Sequence, residues 1–340
     1  MPSMDVFLAD GFSMLELTAA VNKQDYLPQR LLQLGLFESI PVASTVVAIE
    51  ERGGVLALVP TSPRGAPGAT RDHDKRKLID LRVPHLALEE RIMADEVQNI
   101  RAFGSQSEVM QVQQLVNQRS LKLRRDVELT HENFRLGAVK GQVLDADATV
   151  LLDLFAEFGV SQLTEVDFDL DNATPASGAL RKKCASVVRS VLRELKGLGG
   201  GNIRIRALCS DAFWDDLIAH KEVRETYLQT EEARELRGGA AYGVFNFGGL
   251  TFENYRGTDD GTTVGVAADK CHLFPENVPG LFQLYFAPAD YEETVNSPGL
   301  PFYARQAPDS RFNKFTDLEV QSNPLAICTV PRVLIQGKRT

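Results

Sequence analysis

The chain has 340 residues, of which 44% are apolar and 24% charged, and its net charge is −9. That composition is ordinary for a globular protein and excludes wholesale disorder. The acidity disfavours tight gripping of nucleic acid through its phosphates, although an acidic wall can still enclose DNA without adhering to it. Cys184, Cys209, Cys271 and Cys328 are far apart and form no Cys-x-x-Cys pair, which argues against a zinc site and against a disulfide-stapled secreted domain. No apolar run approaches the roughly 18 residues of a membrane span. Residues 1–10 have no basic segment followed by an apolar one, so no secretory leader is expected. Synthesis in a reducing intracellular setting follows as the expectation.

In chain order, residues 1–40 read as an arm with scattered apolar positions and a break at Pro28. Val42, Val46, Val47, Ile49 and then Val55, Leu56, Leu58 and Val59 predict an extended strand over 42–60, bent at Gly53-Gly54. Residues 60–77 hold three prolines and two glycines together with Arg64, Arg71, Lys75, Arg76 and Lys77. They make a polar, basic tip, and 78–86 alternates again as the returning strand. A lone hairpin is marginally stable in water, so a long projecting one is expected to lie on a neighbour.

Residues 86–103 carry Leu88, Ile92, Val97, Ile100 and Phe103 at roughly helical spacing, with a stop at Gly104. Ser105 and Glu108 form a capping box. No Gly or Pro interrupts 105–136, and Gly137 is placed to end the helix. A helix of about 32 residues is about 48 Å long, several times the usual length. Residues 141–170 turn to β pattern through Val143, Val150, Leu152, Leu154, Leu163, Val166, Phe168 and Leu170. Pro175 and Ser177 open a basic helix to about Lys196 with an apolar stripe of Leu180, Cys184, Val188, Val191 and Leu195. Residues 203–209 alternate as a strand, 211–228 read as one helix, and short strands and turns follow to 303. The tail from 315 to 336 is mostly extended.

None of the familiar catalytic patterns is present. The Gly197–Gly201 run follows a helix and precedes a strand, the reverse of a phosphate-cradling loop. There is no nucleophile elbow. His131-Glu132 lacks the second histidine of a zinc-binding helix, and His131 reads as a solvated or interface residue. His272 beside Cys271 has no partners at ligand spacing. Asp145, Asp147 and Thr149 start like a calcium loop but fail at Val150 and Ala156. Asp167, Asp169 and Asp171 fail at Asn172 and Gly178. Their period of two places these three carboxylates on one strand face, either a solvated edge or a contact with a basic surface of a neighbour. The helix over 177–196, with Arg181, Lys182, Lys183, Arg189, Arg193 and Lys196, reads as a solvated outer face or the lining of a junction between subunits.

Five stretches, taken in order, resemble one family: RVPHLALEERIMADEVQNIRAFG (82–104), KGQVLDADATVLLDLFAEFGV (140–160), ALCSDAFWDDLIAHKEVRETY (207–227), FPENVPGLFQLYFAPADYEETVNSPGLPFYAR (274–305) and QSNPLAICTVPRVLI (321–335). The family is the major capsid protein E family of tailed phages, the lambda-type coat proteins. The resemblance implies an α+β, Hong Kong 97-like coat fold. It comprises an N-terminal arm (1–41), an extended loop (42–85), a peripheral domain (86–169 and 305–340, with a spine helix at about 105–136) and an axial domain (170–304).

The resemblance also implies a structural protein and not an enzyme, with no cofactor, no metal and no membrane association. The family self-assembles as homo-pentamers and homo-hexamers into an icosahedral shell around double-stranded DNA, in the host cytoplasm, and becomes the head of the virion. A portal, a scaffolding protein and sometimes a cement or decoration protein act beside it. About 40 residues precede the extended loop, which implies a separate scaffold. Lys75 and Lys77 are conceivable donors for a covalent crosslink, but no acceptor Asn or catalytic acid is identifiable and none is expected. Candidate inter-subunit contacts are Arg64, Arg71, Lys75, Arg76 and Lys77 at the tip, and Asp167, Asp169 and Asp171. The alternatives are another shell-, ring- or tube-forming phage protein, encapsulin-like or from a tail, and a metal-dependent hydrolase built on the three aspartates.

Overall fold

The structure is a computed structural model that describes residues 30–52, 76–98, 108–172, 174–198, 200, 203–227, 243–258, 264–312 and 314–340. Its longest element is α3, Glu108–Lys140, 33 residues. The shorter helices are α1 (Arg30–Gln33), α2 (Ala94–Gln98), α4 (Leu154–Phe158), α5 (Ala179–Leu195), α6 (Asp211–Ala219) and α7 (Lys221–Tyr227). Ser105 and the expected capping box lie outside the described residues. At the other end α3 runs four residues past the expected stop at Leu136. Gly137 lies inside the helix and has room for no side chain, since a Cβ there would sit 2.8 Å from the Gln142 carbonyl oxygen and the Val143 Cα. The stop is Gly141, at φ +91°, which L-residues with side chains avoid.

The described residues within 1–47, 81–135 and 283–326 make one compact unit, and those within 48–80, 136–282 and 327–340 make another. These units divide the chain at other points than the domain boundaries expected from the sequence. In the first unit, β4 (Leu86–Met93), β13 (Tyr303–Pro308) and β14 (Phe315–Ser322) form an antiparallel sheet in the order β13-β14-β4. Its apolar face carries Ile92, Phe302, Ala304, Leu318 and Val320, which pack with Val116, Leu123 and Val127 of α3. Fully burying one such aliphatic side chain is worth about 1.5–3 kcal/mol.

The helix expected over 86–103 is therefore corrected: 86–93 is a strand, and only Ala94–Gln98 is helical. Leu88 and Ile92, four apart, suit both periods. The pairing with β14, Leu88 opposite Val320 and Ile92 opposite Thr316, decides between them. Ile100 and Phe103 lie outside the described residues. Also in this unit, β1 (Glu38–Pro41) runs parallel to β12 (Phe282–Phe286), which in turn neighbours β15 (Pro324–Cys328).

The second unit is built on a six-stranded mixed sheet. It contains β7 (Val166–Asp167), β8 (Arg204–Cys209), β9 (Val244–Phe247), β10 (Leu250–Asn254), β11 (Lys270–Glu276) and β16 (Ile335–Lys338), in the order β7-β16-β11-β8-β10-β9. Phe168, Phe213, Trp214, Phe245 and Phe252 are buried in this unit, with ring contacts such as Phe168–Phe213 at 5.5 Å, edge to face. Helix α5 buries Leu180, Cys184, Val187, Val191 and Leu195, so Val187 takes the place expected for Val188. Gly248 marks close packing, since a Cβ there would lie 2.6 Å from the Cys184 Cβ. The helix expected over 211–228 is two helices, broken where His220 turns extended (ψ 136°). β5 (Gln142–Leu144) and β6 (Val150–Asp153) pair antiparallel. Leu154, expected in a strand, opens α4 because the Asp153 carboxylate accepts the Phe155 and Ala156 N–H groups.

Candidate assembly surfaces

Of the expected hairpin the two paired strands are present, and residues 53–75 between them lie outside the described residues. β2 (Val46–Arg52) pairs with β3 (Arg76–Arg82) as a two-stranded ribbon. Val47, Ile49, Ile79 and Leu81 are buried, whereas Val46 and Leu78 are exposed. Alternation thus leaves apolar side chains on both faces. Among the expected tip contacts, Arg76 and Lys77 open β3, and Arg64, Arg71 and Lys75 lie outside the described residues.

The three aspartates do not line one strand face as their spacing predicted. β7 ends at Asp167, and Asp169 has a left-handed φ of +54°, which breaks the alternation. The Asp167 carboxylate accepts the Asp169 N–H at 2.8 Å and pairs with Lys338 at 3.3 Å. Partial burial opposes ionisation of Asp167, but that N–H and Lys338 outweigh it and hold the carboxyl below its usual range. Asp169 accepts from Asn172 at 3.0 Å and lies 4.0 Å from Lys183. Asp171 is exposed. Asp167 and Asp169 thus each have a lysine of their own chain within 4.0 Å.

The other acidic run, Asp145 to Thr149, is the turn between β5 and β6. The Asp145 N–H reaches the Thr149 carbonyl at 2.9 Å, and the Thr149 hydroxyl and N–H donate to Asp147 at 2.7 and 3.0 Å. Those two bonds, the hydroxyl first, lower the Asp147 carboxyl below its ordinary value. Beside the turn, Val150 and Leu151 are exposed, at 56% and 41%, and Glu157 on α4 is exposed too. The spacing of Val150, Leu152 and Leu154 predicted β pattern here and did not reveal this acidic and apolar knuckle.

On α5, Lys182, Arg189, Arg193 and the capping Lys196 are exposed. Lys183 turns toward Asp169, and Arg181 lies 5.8 Å over the Phe247 ring. The basic face of this helix is thus exposed on the single subunit, as both alternatives require.

Inside the first unit, α3 carries a buried ionic ladder that the sequence pattern did not reveal: Arg124, Glu128, His131, Glu132 and Arg135. Arg135 lies 3.6 Å from Glu128 and 3.4 Å from Glu132, and the other Glu132 oxygen accepts the Leu31 N–H of α1 at 2.8 Å. The i, i+4 recurrence of Arg124, Glu128 and Glu132 was the available signal. His131 is not solvated; it is 1% exposed and stacked on Phe302 at 5.1 Å. The Ser322 hydroxyl donates to the Pro301 carbonyl at 2.6 Å, so it accepts from His131 Nε2 at 2.8 Å. Desolvation first, then Arg135 and Arg124, push the His131 pKa well below its ordinary value, so the ring is neutral.

The four cysteines are free and buried, and burial raises Cys184 and Cys328 to about 12, which keeps them as unreactive thiols. Among the described residues no group of three or more His, Cys, Asp or Glu side chains could hold a metal ion. No described helix is long and apolar enough to cross a membrane.

The family described as phage major capsid protein E matches residues 13–339. The chain belongs to that family. A major capsid protein of Pseudomonas phage KPP10 is 29% identical over 326 residues, covering 90% of this chain and 91% of that relative. A major capsid protein of Salmonella phage Felix O1 is 25% identical, covering 95% of each. Among solved structures, the capsid of an empty GTA particle matches with a TM-score of 0.54 at 11% identity over 93% of this chain and 92% of that one. The mature capsid of bacteriophage PhiM1 matches with a TM-score of 0.52 at 12% identity over 94% and 89%. At such identities the likeness is one of fold, and the fold is the α+β Hong Kong 97-like coat fold. Members of the phage major capsid protein E family are structural proteins of the shell and not enzymes.

Proposed function

We propose that this chain is a major capsid protein that self-assembles as pentamers and hexamers into the icosahedral head shell enclosing a double-stranded DNA genome. The observation that carries this reading is membership of the capsid family across residues 13–339. The long α3 and the two-stranded β2–β3 ribbon support it, because a ribbon with apolar residues on both faces needs a neighbour to cover it. The working division is an arm (1–41), an extended loop (42–85), a peripheral domain (86–169 and 305–340) and an axial domain (170–304).

In this reading the subunit is made and assembled in the host cytoplasm and ends in the virion head. A portal and a separate scaffolding protein are its partners, and the DNA inside is held without sequence recognition. Arg64, Arg71, Lys75, Arg76 and Lys77 of the loop tip contact a neighbouring subunit. Of the three aspartates, Asp171 is the one with least competition from lysines of its own chain.

Negative-stain electron microscopy of the purified protein, made with and without its scaffold, tests the reading. Closed shells hundreds of ångströms across are expected. Monomers in both preparations, or only tubes and open rings, sink it.

A further inference from the structure

We infer that the exposed basic stripe of α5 docks on the acidic β5–β6 knuckle of a second copy of this chain. The inference rests on the shell reading above and names one contact within it. At 100° per residue, Lys182, Arg189 and Arg193 fall within about 40° of arc and span roughly 16 Å along the helix. Lys196 extends the stripe at the C-cap. None of the four has an ion pair among the described residues, although the chain as a whole has a net charge of −9. Flanking the stripe are two exposed leucines, Leu192 at 44% and Leu198 at 55%.

The knuckle is its complement in both respects. Asp145, Asp147 and Glu157 supply negative charge without an ion pair among the described residues. Val150 and Leu151 supply exposed apolar surface. Leucines beside the cations favour a protein partner over DNA, since phosphates gain nothing from them and protein interfaces bury such side chains inside a polar rim. Opposite charge steers the two surfaces together and sets their register. Each copy carries one stripe and one knuckle, so the contact is head-to-tail, the kind that closes rings of five or six.

A charge swap tests this. Arg189→Glu with Arg193→Glu, and separately Asp147→Lys with Glu157→Lys, should each lower shell yield at least ten-fold while the subunit keeps its thermal unfolding profile. All four changes in one chain should restore shells. Because Asp147 also holds its turn, Leu151→Lys with Glu157→Lys serves as a second knuckle variant that leaves those hydrogen bonds in place. The contact is overturned if either side, once reversed, assembles like the wild type, or if the fourfold variant assembles no better than its parents. Normal shell yield from Arg189→Glu/Arg193→Glu with weakened DNA retention would also overturn it and give the stripe to DNA. Wild type that forms no shells in parallel would overturn the shell reading itself and the contact with it.

Discussion

His272 sits on β11 with its imidazole buried, and desolvation first, then Lys140 and Lys270, lower its pKa from 6.5 to about 3. A ring that must stay neutral when folded but can take a proton when unfolded contributes stability above pH 6.5. That stability is lost as the pH falls from 6.5 toward 3. At about 1.4 kcal/mol per unit, full development of the effect is on the order of 4–5 kcal/mol. His131 acts in the same direction. Thermal unfolding of the free subunit should therefore weaken below pH 6.5, and His272→Gln should flatten that decline relative to neutral pH. An unchanged pH slope in the variant would show that the ring is not the source. The same scale explains Gly137 and Gly141. As letters they look alike, yet the first admits a neighbouring strand and the second turns the chain.

At the scale of the element, the β2–β3 ribbon is not self-sufficient. Two strands bury little by themselves, and Leu78 at 65% exposure leaves apolar surface uncovered. Deleting 62–76 should leave a folded subunit, with unchanged far-ultraviolet circular dichroism per residue, that cannot make stable shells. Normal shells from that deletion would remove the role assigned to the loop. The strand β4 shows the limit of periodicity. Leu88 and Ile92 read equally as a helix stripe, and only eight register pairs with β14 fix them as strand. Helix α5 was easier to read, because 17 uninterrupted residues with one apolar stripe leave little ambiguity.

At the scale of the whole molecule, a closed shell repeats the same contacts between copies by symmetry. Non-covalent closure is the expectation here, since Lys75 and Lys77 have no identifiable acceptor or catalytic acid to join them to a neighbour. Boiled, purified shells should give a single band on a denaturing gel. A ladder of heavier bands would mean covalent joining between subunits. The free, buried cysteines among the described residues are consistent with a shell that relies on packing and charge and not on disulfides.

By itself the sequence determined the long helix, the hairpin, the basic α5 and the capsid family, because each is written locally or as an ordered series of short stretches. Only the tertiary structure decided that 86–93 is a strand, that His131 is buried in a ladder of charges, and that Val150 and Leu151 face outward beside Asp147. The physical reason is shared by the first two. Burial and register depend on partners distant in the chain, Val320 for Leu88 and Ser322 for His131, and no local period encodes which partner arrives.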